Sequence, residues 1–264
     1  MIISLKGRRA LVTGSTAGIG FATATALAQA GANVVLNGRS MAAVDAAAKR
    51  LAAAIPDAEI AGVAADLGTA DGAAKLADEV GELEILVNNV GIAEPKPFFE
   101  TSDTDWEKHF AVNVMSGMRL FRALLPGMMR RGWGRIIFVS SESALHIPTE
   151  MIHYGMTKTA QLAISRGLAE VAAGSGVTVN AVLPGPTRSE GLLGFIESMA
   201  TAANEDPTKL EQALIENHRP TSLIGRLADV EEVANMIVYL VSPQASATTG
   251  AALRVDGGIV RAIP

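Results

Sequence analysis

The sequence of 264 residues contains no cysteine, only four histidines and few aromatic residues. Without cysteine, disulfides, thiolate nucleophiles and cysteine-ligated metal sites are excluded. The histidines, at positions 109, 146, 153 and 218, lack the H-x-x-x-H spacing of a helical zinc site. The sequence therefore predicts no metal site. His153 is expected on the surface or at an interface, without a catalytic role.

Positive charge and long apolar runs are also scarce. The net charge of -5 gives no basic surface for nucleic acid. No run approaches the roughly 18 uninterrupted apolar residues of a membrane span. The N-terminus leads straight into a strand pattern, without the apolar region and cleavage site of a signal peptide. These absences predict a soluble cytoplasmic protein with neither a nucleic-acid nor a membrane partner.

Short β-branched segments alternate with Ala-rich amphipathic segments along the chain. Strands are predicted at 10–14, 33–38, 59–67, 84–91, 134–141, 176–185 and 250–258. Helices are predicted at 19–31, 41–55, 70–80, 103–129, 151–173 and 229–242. This alternation predicts an α/β fold with a doubly wound parallel sheet of seven strands, in one domain spanning 1–264. Residues 188–224 contain helical pieces and no strand.

The turn between the first predicted strand and helix reads TGSTAGIG, from Thr13 to Gly20. Gly14, Gly18 and Gly20 would let the chain bend tightly and bring backbone N–H groups close to a pyrophosphate. The start of the following helix adds partial positive charge. In the first βα unit, this pattern predicts the dinucleotide site of a Rossmann-type sheet. The alternative is a structural turn in a domain that binds nothing.

The second predicted strand ends in LNGRS, with no acidic residue between Asn33 and Arg39. An NAD site usually has an acid there for the ribose hydroxyls. Arg39 instead offers a forked cation for a 2′-phosphate, and Ser40 adds a hydroxyl. We therefore predict that NADP(H) is preferred, with NAD(H) possible. The alternative is that Arg39 is an ordinary solvated loop residue.

The segment HYGMTK places Tyr154 four residues before Lys158, on one face of a predicted helix with Cβ atoms about 5–6 Å apart. A free phenol has a pKa near 10. An ammonium group about 4 Å away would favour the phenolate by roughly 4 kcal/mol at an effective dielectric near 20. Lys158 is thus expected to bring the pKa of Tyr154 near neutrality. The alternative is a solvated lysine beside a packed aromatic ring.

Together these motifs resemble the classical short-chain dehydrogenase/reductase (SDR) family. TGSTAGIG resembles its T-G-x-x-x-G-I-G turn, NNVG (88–91) its N-N-A-G segment with Val90 in place of alanine, and NAVLPGPTR (180–188) the strand and turn beside the nicotinamide. The resemblance implies a catalytic set of Asn113, Ser141, Tyr154 and Lys158. Ser141, thirteen residues before Tyr154, is preferred over Ser140 and Ser143 for stabilising the substrate oxygen. Asn113 is expected to hold a water that links Lys158 to solvent.

The resemblance also implies the residues that contact the cofactor. They are Gly14, Ser15, Thr16, Gly18, Ile19, Gly20, Asn37, Arg39, Ser40, Asp66, Leu67, Asn89, Val90, Gly91, Tyr154, Lys158, Pro184, Gly185 and Thr187. Residues 188–224 are expected to form a substrate lid. The substrate pocket is expected to include Ser143, Leu145, Met151, Leu192, Leu193 and Phe195.

The implied function is an NADP(H)-dependent oxidoreductase that interconverts a small-molecule carbonyl and a secondary alcohol, with Tyr154 as general acid and base. One alternative is a reductase of 3-oxoacyl thioesters on a carrier protein or CoA. The absence of Lys and Arg between Glu170 and Asn180 counts against carrier-protein docking. A dehydratase or epimerase, and a non-catalytic dinucleotide-binding regulator, are further alternatives. A homotetramer or homodimer is expected from the resemblance.

Overall fold

Seven parallel strands form the central sheet, as the alternating pattern predicted. The computed structural model describes residues 2–263. The strands are β1 (Arg9–Val12), β2 (Asn33–Gly38), β3 (Ile60–Ala64), β4 (Ile85–Asn88), β5 (Gly134–Val139), β6 (Val177–Pro184) and β7 (Ala252–Val255). Their order is β3-β2-β1-β4-β5-β6-β7. The chain reverses its direction of winding between β1 and β4, which opens a crevice at the carboxyl ends of these strands, where such sheets bind ligands.

Helices connect the strands and cover both faces of the sheet. The α-helices are α1 (Gly18–Gln29), α2 (Met41–Ala54), α3 (Ala70–Val80), α4 (Asp103–Phe110), α5 (Ser116–Arg131), α6 (Ile152–Val171), α7 (Glu190–Ala203), α8 (Pro207–His218) and α9 (Val230–Val241). One buried cluster joins the sheet to α3, α5 and α6. A second joins the opposite face to α1, α2 and α9. The seven-stranded α/β domain of Rossmann type is therefore confirmed.

The central strands are buried along their whole length, because helices lie on both of their faces. Every residue of β4, β5 and β6 is buried. This explains why these segments read as continuous apolar runs, without the alternation of a half-exposed strand. Phe138 of β5 stacks on Phe121 of α5 at 5.2 Å between ring centroids. Because these strands are packed on both faces, their carboxyl ends can hold side chains in fixed positions at the crevice.

The helix predicted for 103–129 is interrupted. A capping box of Ser102 and Asp105 begins α4, but a π-helical segment, Ala111–Met115, separates it from α5. Asn113 lies in this wider turn, and its side chain bonds both the N–H and the C=O of Ile92. These two bonds hold the wider turn in register with the loop after β4. Such π segments often occur at functional sites, and a 3.6-residue period does not reveal them.

The strandless region 188–224 contains α7 and α8, two helices that pack against each other. Their shared core contains Ile196, Ile215 and Leu227. Ser189 caps α7 by accepting a hydrogen bond from the N–H of Leu192. The pair covers the carboxyl end of the sheet. Across residues 2–263, no helix is long and apolar enough to cross a membrane.

Candidate active site

The Gly-rich turn after β1 depends on its three glycines. Gly14 and Gly18 have φ angles of +61° and +56°, in the left-handed region that favours glycine. A Cβ at Gly20 would lie 2.4 Å from the carbonyl oxygen of Gly14. Beneath the turn, the Asn37 side chain accepts a hydrogen bond from the N–H of Gly14 at 3.2 Å, and Ser15 donates to the Val12 carbonyl at 2.7 Å. Asn37 and Ser15 thus brace the turn from inside the fold.

The backbone N–H of Gly18, the first in α1, faces an acidic side chain that sequence reasoning did not identify. Ala17 precedes α1 and provides no side-chain cap. The Glu190 carboxylate, from the start of α7, accepts a hydrogen bond from the N–H of Gly18. Its other oxygen lies 3.8 Å from Nη1 of Arg50. An anion is therefore accommodated at this helix end. Together with the glycine cradle, that feature fits the phosphates of a dinucleotide.

Residues after β4 complete the turn. Nδ2 of Asn89 donates to the carbonyl oxygens of Thr13 at 3.0 Å and Gly14 at 3.1 Å. Val90 packs so closely that a Cβ at Gly14 would lie 3.0 Å from its Cγ2 atom. The valine that replaces the usual alanine is therefore in contact with the turn, and the turn accommodates it.

The residues predicted for the adenosine end lie at the ends of β2 and β3. Arg39 is exposed and makes no ion pair within residues 2–263. Ser40 caps α2 by accepting from the N–H of Ala43 at 3.3 Å. Asp66 is exposed and accepts from the N–H of Gly68 at 3.0 Å, whereas Leu67 is buried. A cation and a carboxylate thus remain accessible near the end of the crevice.

Three of the four predicted catalytic residues line one cavity of about 980 Å³: Ser141, Tyr154 and Lys158. Nζ of Lys158 donates to the carbonyl oxygen of Val139 at 3.0 Å and lies 5.5 Å from the ring centroid of Tyr154. Asn113 lies behind them, where its Nδ2 donates to Thr157 of α6 at 3.0 Å. Asn113 therefore ties the π segment to the helix that carries Tyr154 and Lys158.

The cavity brings together the predicted catalytic residues, most of the predicted substrate residues and the part of the predicted cofactor site nearest to them. The predicted residues that line it are Ile19, Asn89, Gly91, Ser141, Ser143, Met151, Tyr154, Lys158, Pro184, Gly185, Thr187, Leu192 and Phe195. Those outside its lining are Gly14, Ser15, Thr16, Gly18, Gly20, Asn37, Arg39, Ser40, Asp66, Leu67, Val90, Asn113, Leu145 and Leu193. Leu145 is half exposed, on the surface of the loop after β5.

Comparison with known proteins identifies the family. Residues 14–260 match the family described as enoyl-(acyl carrier protein) reductase. The chain belongs to the short-chain dehydrogenase/reductase family. This SDR is 45% identical to the uncharacterized oxidoreductase YvaG of Bacillus subtilis, over 100% of both chains. It is 34% identical to the 3-oxoacyl-(acyl-carrier-protein) reductase FabG of Aquifex aeolicus, over 98% of this chain and 100% of that protein.

A solved structure is similar over its whole length. It is the L-sorbose reductase of Gluconobacter frateurii complexed with NADPH and L-sorbose, with a TM-score of 0.94, 31% identity and 100% coverage of both chains. The family assignment confirms the resemblance noted in the sequence. It also establishes this SDR as an oxidoreductase of the class that interconverts carbonyls and alcohols with NAD(P).

The expectation that Lys158 would bring the pKa of Tyr154 near neutrality is wrong for the protein without a bound cofactor. Burial raises the pKa of Tyr154 well above its usual range, and the negative charge of Glu142 acts in the same direction. The Ser141 hydroxyl and Arg219 only partly oppose this rise. Burial also lowers the pKa of Lys158 to about 8. The sequence estimate included the attraction between phenolate and ammonium but omitted the desolvation of both groups.

A buried ion pair beside Ser141 was missed by sequence reasoning. Glu142 is 3% exposed, and its Oε1 accepts a hydrogen bond from Nε of Arg219 at 2.9 Å. Its Oε2 accepts from the Ser141 hydroxyl. Arg219 directly follows α8, and both charged residues line the cavity. Glu142 is adjacent to Ser141 and could have been noticed, but Arg219 is 77 residues away in sequence and gives no local signal.

The expectation that His153 lies on the surface or at an interface is wrong, because the residue is buried within the fold. It is 1% exposed and lies between α6 and α4, with its ring 4.2 Å from that of His109 and 5.9 Å from Trp106, centroid to centroid. Helix α6 packs on the sheet with one face and on α4 with another, and this second face holds His153. It lies outside the cavity lining, in agreement with a non-catalytic role.

Proposed function

We propose that this SDR is an NADP(H)-dependent oxidoreductase that interconverts a small-molecule ketone and a secondary alcohol, with Tyr154 as general acid and base. The observation that carries the proposal is the shared cavity. Ser141, Tyr154 and Lys158 line it together with Ile19 of the Gly-rich turn and Gly91 of the loop after β4. A reacting carbonyl and a dinucleotide can therefore meet in one space at the carboxyl end of the sheet.

The roles of the side chains follow from their protonation. A bound nicotinamide cofactor would supply or accept the hydride. Because burial keeps the phenol of Tyr154 protonated, it is ready to donate a proton to a carbonyl oxygen. The Ser141 hydroxyl donates a second hydrogen bond to that oxygen and stabilises its developing charge. Lys158, held by the Val139 carbonyl, adds positive charge behind Tyr154. A protonated Tyr154 favours carbonyl reduction over alcohol oxidation in the absence of further positive charge.

Asn113 acts on this chemistry from behind the cavity. Its bonds to Ile92 and Thr157 fix the loop after β4 against α6. Its backbone carbonyl accepts a hydrogen bond from the Gln161 side chain. We propose that a water bound here links Lys158 to solvent, since a carbonyl oxygen has a second lone pair to offer.

The preference for NADP(H) is supported by Arg39. Its guanidinium follows β2, is exposed and has no ion-pair partner among residues 2–263. A 2′-phosphate can pair with such a group in two hydrogen bonds. The similar L-sorbose reductase structure contains NADPH.

Residues 188–224 are proposed as the substrate lid. Helices α7 and α8 contribute Leu192, Phe195, Ile196, Met199, Leu210 and Leu214 to the cavity lining. These apolar side chains would exclude water from the reacting groups. Reduction of 3-oxoacyl thioesters is the second candidate function. The apolar wall formed by α7 and α8 can cover an acyl chain, and the FabG relative of Aquifex aeolicus is named a 3-oxoacyl-(acyl-carrier-protein) reductase.

The test begins with fluorescence titrations of NADPH and NADH, followed by a panel of ketones and aldehydes that includes acetoacetyl-CoA. We expect tighter binding of NADPH and turnover of small ketones. Cofactor binding without turnover of any carbonyl would support the regulator alternative. Preferred turnover of the thioester would support the second candidate. A product change without net cofactor consumption would indicate a dehydratase or epimerase.

A homotetramer or homodimer in the cytoplasm is also proposed. Apolar side chains are exposed just before α4, at Phe99, and on two helices, at Phe110 of α4 and Val171 of α6. Covering them in an interface would remove apolar surface from water. Light scattering of the purified protein tests the assembly directly, and a monomer would contradict it.

A further inference from the structure

Glu142 places a negative charge inside the cavity, next to the predicted catalytic serine. It begins a short 3-10 turn, Glu142–Ala144, directly after Ser141. Buried carboxylates are rare unless they are paired. Here Oε1 is paired with Arg219, whereas Oε2 accepts a hydrogen bond from the Ser141 hydroxyl and from no other donor within residues 2–263. The satisfaction of Oε2 therefore depends on Ser141.

Ser141 has a single hydroxyl proton, and two acceptors need it. In the protein by itself the proton is directed at Glu142, while Oγ accepts from the N–H of Ser143 at 3.1 Å. Under the proposed function, a substrate carbonyl oxygen accepts a hydrogen bond from this same Ser141 hydroxyl. Oε2 of Glu142 would then be left buried and without a donor, which is unfavourable. A substrate that brings its own donor to Oε2 avoids this loss.

The required donor lies close to the reacting carbon. The carbonyl oxygen and Oε2 both lie within hydrogen-bond distance of one atom, Oγ of Ser141. Hydrogen-bonded oxygens are about 2.7–2.8 Å apart. A hydroxyl on the carbon next to the carbonyl is the nearest substrate group that can reach Oε2 while the carbonyl oxygen stays on Ser141.

The charges around Glu142 favour a neutral substrate. Arg219 is shared between Glu142, at 2.9 Å, and Glu150, at 3.4 Å. The remaining basic residues of the cavity lining are Lys158, which is directed at Val139, and His218, whose Nδ1 is 4.0 Å from Glu150. One guanidinium thus serves two carboxylates. Within residues 2–263, no basic side chain at this end of the cavity is left without a partner to bind the carboxylate of a keto acid.

We infer that the Glu142 carboxylate accepts a hydrogen bond from a substrate hydroxyl on the carbon adjacent to the reacting one. The preferred substrates are then neutral α-hydroxy ketones and the matching vicinal diols. The inference rests on the proposed function and names the substrate class of the same site. Arg219 is a positioning residue, which pairs with Oε1 of Glu142 and leaves Oε2 aimed at this hydroxyl.

The test compares substrates that share a carbon skeleton. With NADPH and NADH, 3-hydroxybutan-2-one and butan-2-one differ only in the adjacent hydroxyl, and pyruvate provides an anionic keto compound. We expect kcat/KM for the hydroxy ketone to exceed that for butan-2-one by at least about tenfold, equivalent to roughly 1.4 kcal/mol. Pyruvate should be the poorest of the three. In the reverse direction, with NADP⁺ and NAD⁺ as hydride acceptors, kcat/KM for butane-2,3-diol should exceed that for butan-2-ol.

Variants connect the preference to Glu142. Glu142→Gln should reduce the ratio for the two ketones at least about fivefold, because the negative acceptor is lost. Glu150→Gln is the matched control, since it also removes a carboxylate from Arg219 but does not contact Ser141, and it should keep the ratio. If Glu142→Gln does not fold, the double variant Glu142→Leu with Arg219→Met leaves no unpaired buried charge and should lose the preference as well.

The outcomes separate this inference from the proposed function. Equal use of both ketones by the unaltered protein, a ratio that survives in both Glu142 variants, or a preference for pyruvate overturns the inference and leaves the carbonyl reductase intact. Absence of turnover with every carbonyl, while the cofactor binds, overturns the proposed function and the inference together.

Discussion

The Glu190 carboxylate accepts a hydrogen bond from the backbone N–H of Gly18, which lies 172 residues earlier in the sequence. The contact joins the start of the proposed lid to the start of α1, where the phosphates of a dinucleotide are predicted to bind. Carboxylate and phosphate are both anions and need the same donor. We therefore expect the bound cofactor to displace Glu190, which would link the position of α7 to the presence of the cofactor.

Removal of this carboxylate should strengthen cofactor binding. For Glu190→Ala we expect the Kd for NADPH to fall by about fivefold, or roughly 1 kcal/mol, because no anion has to leave Gly18. Fluorescence titration measures this without turnover. Glu197→Ala is the matched control, as Glu197 is exposed on the same helix and two turns away. An unchanged Kd for Glu190→Ala, or an equal change in both variants, would contradict a competing role for Glu190.

The parts of the fold and site that could be predicted depend on short-range patterns. The Gly-rich turn and the Tyr154–Lys158 spacing were recognised because a local geometry requires them. The Glu142–Arg219 and Glu190–Gly18 contacts join segments that only the folded topology brings together. Helix and strand periodicity in the sequence does not indicate such long-range pairs, so sequence reasoning did not find them.

Other differences arise from burial, which a sequence motif does not quantify. The pKa of Tyr154 was expected to fall, but desolvation raises it and outweighs the lowering effects of Ser141 and Arg219. His153 was expected on the surface or at an interface, but the face of α6 that holds it packs on α4. The long helix before β5 was expected to be regular, although Asn113 and the Ile92 backbone hold it in a π turn. In each case a tertiary contact overrides the local preference.

Loss of Arg39 should weaken the binding of NADPH selectively. Arg39→Ala removes the exposed guanidinium after β2, so the Kd for NADPH is expected to rise about tenfold, the equivalent of roughly 1.4 kcal/mol. The Kd for NADH should stay the same, because NADH has no 2′-phosphate. Lys49→Ala, an exposed cation on α2, controls for general electrostatics. An equal rise in the Kd of both nucleotides would show that Arg39 does not bind the 2′-phosphate.

Loss of the Tyr154 hydroxyl should affect rate and leave nucleotide binding intact. Tyr154→Phe keeps the ring and removes the proton donor, so kcat is expected to fall by at least about 100-fold, the scale of general acid catalysis. The Kd for NADPH, measured by titration, should change little. Tyr239→Phe removes the hydroxyl of the other tyrosine in the chain, outside the cavity lining, and should keep the rate. Near-normal turnover in Tyr154→Phe would disprove the mechanism.

The buried pair of His153 and His109 should make the protein less stable in acid. Burial lowers the pKa of His153, and the charge of His109 acts in the same direction. A hydrogen bond to the Glu94 carbonyl and the charges of Asp105 and Glu94 act against them. The folded state thus binds its proton at lower pH than the unfolded state does. The stability that neutral His153 contributes is complete above the unfolded pKa of about 6.5 and is lost as pH falls through the folded pKa.

Within that window one such group gives a slope of at most about 1.4 kcal/mol per pH unit in the free energy of unfolding. We expect His153→Gln to flatten this slope when urea denaturation is followed between neutral and mildly acidic pH, whatever its effect on stability at neutral pH. His146→Gln, which removes an exposed imidazole, is the matched control. A slope that is unchanged in His153→Gln, or flattened equally in both variants, would assign the acid sensitivity to groups other than the packed histidine between α4 and α6.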